Sequence, residues 1–115
     1  MDLIKNVEKA TPLELAKLID YQKGGIASKC LTYSKTVDIT LMAVDEGEGL
    51  STHSADGDAF VYMIEGEAEI TVDGVLHNVK AGEVILMPVG IPHSLHAVKP
   101  FKFMLTVVYP AANPN

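Results

Sequence analysis

The chain contains no arginine and no tryptophan, and only one cysteine. Its lysines are scattered singly, so no basic patch forms, and the formal net charge is -6. A negative surface repels phosphate backbones and anionic lipid, which argues against nucleic acid and membrane partners. A single cysteine, Cys30, cannot close an internal disulfide. Its place in an alternating segment suits a half-buried strand residue; Lys29 alone is weak support for a reactive thiol. No apolar run approaches the roughly 20 residues that a membrane-crossing helix needs. Asp2, Lys5, Glu8 and Lys9 interrupt any apolar core of a signal peptide. No serine or cysteine nucleophile motif occurs, and no glycine-rich phosphate loop. Together these absences predict a soluble protein of a reducing cytoplasm.

What is present is ordinary globular composition. Of 115 residues, 48% are hydrophobic and 21% charged. That suits one folded domain and is too apolar for disorder. One short helix is signalled early. Thr11 can cap, Pro12 suits the first helical position, and Glu14 completes a capping box. Leu15, Leu18 and Ile19 then recur at helical spacing, and Gly24-Gly25 ends the region.

After Gly25 the apolar period changes to two. "IASKCLTYS", "VDITLMAV", "AFVYMI", "AEITV", "VLHNV", "VILMPV" and "FKFMLTVVY" read as strands, and the second is apolar on both faces. Turn residues such as Glu46-Gly47, Asp73-Gly74, Gly66 and Gly90 separate them. Many short strands at this spacing predict a β-sandwich or barrel. Asp73-Gly74 predicts a two-residue type I′ hairpin, with Val72 facing Val75 and Ile70 facing His77. His77 then shares the inward face with Ile70, as a hydrogen-bonded core histidine or as pocket lining. Met42, Met63, Met87 and Met104 sit in strand patterns, where methionine is most often core filler. Tyr33, Tyr62 and Tyr109 can donate to a ligand, although packing is the usual role of strand tyrosines.

Two segments carry a more specific pattern. Gly47, His53 and Gly66 fit G-x5-H-x-H-x3,4-E-x6-G, with Ala55 at the second histidine position and Ala59 at the glutamate position. Gly82, Pro88, Gly90 and His93 fit G-x5-P-x-G-x2-H-x3-N, with Ala97 in place of the asparagine. In these motifs the chain resembles the cupin superfamily, small all-β double-stranded β-helix (jelly-roll) barrels. Ahead of the motifs, the short N-terminal helix and a leading strand are expected over residues 1–36, packed on the barrel or on a partner. The resemblance implies a barrel over 37–109, and the tail "PAANPN" over 110–115 is expected to fray. Small cupins commonly dimerise, and "GGIASKCLTYS" is long enough to meet a second subunit, so a homodimer is expected.

Metal-binding cupins supply three histidines and one glutamate. By this resemblance His53 and His93 are the retained ligands of a divalent transition metal (zinc, nickel, iron, manganese or copper). Alanine cannot coordinate, so the shell is incomplete and the affinity modest. Asp58 is adjacent to the glutamate position and points outward unless the Asp56-Gly57 turn bulges. His96, three residues after His93, points to the other face. The expected function is small-molecule binding without an assigned activity, in a barrel pocket lined by His53, His93, Val61, Met63 and His77. Two other classes stay open: a metal-dependent oxygenase or isomerase with water or substrate completing the shell, and a non-catalytic regulatory module.

Overall fold

The structure, a computed structural model, describes residues 2–111. Nine strands follow a short N-terminal segment: β1 Ile26–Tyr33, β2 Val37–Val44, β3 Gly49–His53, β4 Asp58–Glu65, β5 Glu67–Val72, β6 Val75–Lys80, β7 Val84–Met87, β8 His93–His96 and β9 Phe101–Val108. They form two antiparallel sheets, ordered β1-β2-β9-β4-β7 and β3-β8-β5-β6. The two sheets face each other as a jelly roll. The expected tail beyond Ala111 lies outside the described residues.

Alternation along the strands fills the space between the sheets in rows. In the first sheet, Met63, Phe103 and Met42 lie side by side across β4, β9 and β2. The next inward row runs Ile85, Val61, Leu105, Thr40 and Cys30. A third row runs Met87, Ala59, Val107, Asp38 and Tyr33. In the second sheet, Leu50, Leu95, Ile70 and His77 form one row, and His53, His93, Val72 and Val75 the next. Ser54–Gly57 joins His53 to the start of β4, and Pro88–Pro92 joins Met87 to His93. The His53 and Ala59 rows therefore lie at one end of the barrel, its mouth. Away from that end the interior is closed, with Phe101, Phe103, Met63 and Ile70 all buried.

The Asp73-Gly74 hairpin forms in the expected register, with positive φ of 51° and 80° at its two central residues. The N-terminal helix does not form as expected. Only a single 3-10 turn, Leu15–Lys17, is present, without a side-chain cap. Thr11 Oγ1 instead donates to the Lys9 carbonyl. The apolar spacing is used differently. Val7, Leu15, Leu18 and Ile19 pack on the outer face of the first sheet, against Leu31, Ile39, Leu41 and Met104. Lys102 Nζ donates to the Ala16 carbonyl at 2.7 Å, and Lys29 Nζ donates to the Leu18 carbonyl. A continuing helix would need both carbonyls for its own ladder, and a helix this short gains little by itself. Sheet packing and two lysines outweigh it.

The same segment occupies part of the β1 edge. The Lys5 amide donates to the Leu31 carbonyl, and Asn6 Nδ2 to the Cys30 carbonyl. No helix of the described residues is long and apolar enough to cross a membrane.

Candidate functional site

Two short strands create the mouth pair. Leu50 of β3 lies opposite Leu95 of β8, so regular pairing would bring Thr52 opposite His93. The register instead shifts between Leu50 and His53, and His53 stands opposite His93. One extra residue on β3 thus turns His53 onto the inward face that Leu50 also occupies. Gly49 helps the strands approach, because a β-carbon there would collide with the Leu95 carbonyl.

His53 Nε2 and His93 Nε2 lie 3.2 Å apart. The rings meet edge to face, with centroids 4.4 Å apart and planes at 74°. Each Nδ1 is held locally: His53 Nδ1 lies 2.6 Å from the Ser51 carbonyl, and His93 Nδ1 lies 3.2 Å from that of Ile91. A carbonyl oxygen only accepts, so both Nδ1 atoms carry hydrogen. Rings with hydrogen on Nδ1 alone point their Nε2 lone pairs at each other. A proton on one Nε2, or a cation between them, relieves that contact. His93 is buried and His53 exposed. Burial lowers the His93 pKa, and the neighbouring His53 lowers it further, while the bond to the Ile91 carbonyl acts the other way.

The other expected residues separate. Val61 and Met63 have no exposed surface and belong to the packed core, so they are not walls of an open pocket. His77 shares the face of Ile70 as its register requires, yet it is exposed. Its strand β6 is the sheet edge, and of Val75–Lys80 only Val79 is buried. Ala59 is buried and Ala55 half-buried, each presenting only a methyl group. Asp58 points outward and accepts from the Val89 amide. His96 lies on the outer face, 3.1 Å from Glu69. Among the described residues, no group of three or more histidine, cysteine, aspartate or glutamate side chains converges.

Sequence reasoning missed Asp38 and Thr40. They alternate with Val37 and Ile39 in a strand apolar enough to seem buried on both faces. Asp38 stands opposite the buried Val107, so it faces inward, and Thr40 Oγ1 donates to its Oδ1 at 3.2 Å. Tyr109, two residues beyond Val107, packs against the core cluster. Its phenol pKa is raised, first by burial and then by the charges of Asp38, Tyr33 and Asp56. This end of the barrel thus carries two imidazole acceptors on the second sheet and, on the first, the Asp38 carboxylate and the Thr40 hydroxyl, with the Tyr109 phenol beyond β9. It can hold a cation or accept hydrogen bonds from a ligand.

No curated protein matches the chain. Solved structures do. A conserved protein of unknown function from Streptococcus pyogenes is 38% identical, with a TM-score of 0.94 over 97% of this chain and 98% of that one. A cupin superfamily protein from Desulfitobacterium hafniense is 28% identical, with a TM-score of 0.89 over 93% of this chain and 98% of its own. A Cupin 2 conserved barrel domain protein from Leptotrichia buccalis is 38% identical, with a TM-score of 0.81 over 84% of this chain and 47% of its own. The Cupin domain family matches residues 40–109, and the chain belongs to that family.

Proposed function

We propose that this cupin binds a small molecule at the barrel mouth, and that His53 and His93 together take up a divalent transition metal there with modest affinity. The supporting observation is the pair itself, with two Nε2 atoms facing each other at 3.2 Å while both Nδ1 atoms are tied to backbone. With zinc–nitrogen bonds of about 2.0–2.1 Å, two nitrogens on one tetrahedral ion lie roughly 3.3 Å apart. The residues present thus fit two adjacent positions of a coordination shell. Ala55 and Ala59 leave the others to water or to the ligand. Imidazole suits zinc, copper, iron and nickel alike, so the pair does not select among them.

Calorimetric titration with zinc at pH 7.5 tests the metal reading. Wild type binds, and both His53→Ala and His93→Ala lose binding. Binding weakens as pH falls through the histidine range, since a protonated imidazole cannot coordinate. If wild type takes up no zinc, the pair is polar lining of an organic-ligand site. If one variant binds as well as wild type, the pairing is wrong.

The same reading includes association into a homodimer. Lys5 and Asn6 already engage Leu31 and Cys30, so the proposed contact uses the Ile26–Lys29 half of β1. A sedimentation mass near 12.4 kDa at micromolar concentration overturns it.

A further inference from the structure

We propose that Asp38 is the charge-selecting residue of the mouth, admitting neutral or cationic ligands that carry hydrogen-bond donors and disfavouring free carboxylates and phosphates. This rests on the small-molecule half of the reading above and is independent of its metal half.

Register places Asp38 between Val107 and Tyr33 on the inward face of the first sheet. It is half-buried, and Thr40 Oγ1 engages one carboxylate oxygen. Among the described residues no lysine or histidine forms an ion pair with it. Lys35, in the turn after Tyr33, is exposed and makes no such pair. A half-buried carboxylate with one neutral donor keeps unused acceptor capacity and an uncompensated charge. On the second sheet, at the same end of the barrel, His53 and His93 add two more acceptors. The donors are the Thr40 hydroxyl, already committed to Asp38, and the phenols of Tyr33 and Tyr109. Acceptors and negative charge are in excess, so a ligand that completes the set brings donors. An anion meets the Asp38 carboxylate with no cation to offset it, and such an unpaired like charge is a device for rejecting ligands.

The test titrates three probes of matched size into ¹⁵N-labelled, EDTA-treated full-length protein: ethanolamine, ethylene glycol and glycolate. The readout is the amide shifts of Asp38, Thr40 and Tyr109. Ethanolamine is expected to bind about tenfold more tightly than glycolate, with ethylene glycol between them. Asp38→Asn keeps the shape and reduces that preference to within about threefold. Asp58→Asn, which removes one charge on the outer face, leaves it unchanged. Glycolate binding most tightly to wild type, or a preference that stays at about tenfold in Asp38→Asn, overturns the role of Asp38. An equal loss in Asp58→Asn assigns the preference to overall charge and also overturns it. If no probe shifts any mouth amide, the small-molecule reading and this inference fall together. The zinc titration stands or falls separately.

Discussion

A β-carbon on Gly66 would lie 2.5 Å from the Pro100 carbonyl oxygen and 2.9 Å from Phe101 Cα. Gly66 also has φ of 81°, where a side chain is strained whatever the space. Both causes act on Gly66→Val, which should destabilise the fold by at least about 2 kcal/mol in urea unfolding. Glu67→Val, on the exposed neighbour, should stay within about 0.5 kcal/mol. Gly90 has φ of 75° but open space around its missing β-carbon. Gly90→Ala should therefore cost only about 1–2 kcal/mol, from the left-handed backbone alone. Equal losses for Gly66→Val and Glu67→Val would show the turn assignment to be wrong.

The buried His93 makes stability depend on pH. Its folded pKa lies below the unfolded value because burial and His53 disfavour the imidazolium. As pH falls below about 6.5, the unfolded chain takes up a proton that the folded chain resists, so stability declines. The decline is complete once pH is below the folded pKa. Melting temperature should fall from pH 7 to pH 5, and less steeply in His93→Gln. Parallel curves for the two proteins would remove His93 as the cause.

Lys102 ties the N-terminal segment to the barrel. Its buried Nζ donates to the Ala16 carbonyl, stands 3.8 Å from Glu65 Oε2, and lies 4.8 Å above the Tyr21 ring. Tyr21 in turn donates to the same Glu65 oxygen at 2.6 Å, and burial followed by this bond pushes its phenol pKa up. Lys102→Met keeps the aliphatic stem but removes the donor, at a cost of about 1–3 kcal/mol. Trypsin should then cut at Lys17 sooner than in wild type. An unchanged cleavage rate would mean that the apolar contacts of Leu18 and Ile19 hold the segment without it.

Met63 distinguishes a filled barrel from an open one. It is fully buried beside Phe103. Met63→Ala should cost about 2–5 kcal/mol and leave a cavity in the core. A loss under about 1 kcal/mol would indicate an interior already open to solvent.

Much of the architecture was legible because strand alternation and turn chemistry act locally. The Asp73-Gly74 hairpin, the apolar face of β5 and the buried methionines Met63 and Met87 follow from spacing alone. The two strands that carry the histidine pair did not stand out. Gly49–His53 and His93–His96 are short and polar, and they become strands by pairing with each other, the second also pairing with β5. The N-terminal helix failed for the opposite reason. Its local signals were good, but the sheet offered Leu15, Leu18 and Ile19 a face to cover, and Lys29 and Lys102 took the carbonyls.

The sequence by itself determined the all-β class, the turns and the two motif histidines, because these depend on residue type and short-range spacing. Tertiary structure decided that a bulge in β3 brings His53 opposite His93, and that His77 stays exposed on an edge strand. It also decided that Asp38 of β2 faces the mouth. Those outcomes depend on which strands become neighbours, on register across pairs distant in the chain, and on which faces the second sheet covers. Alternation along one strand carries none of that information.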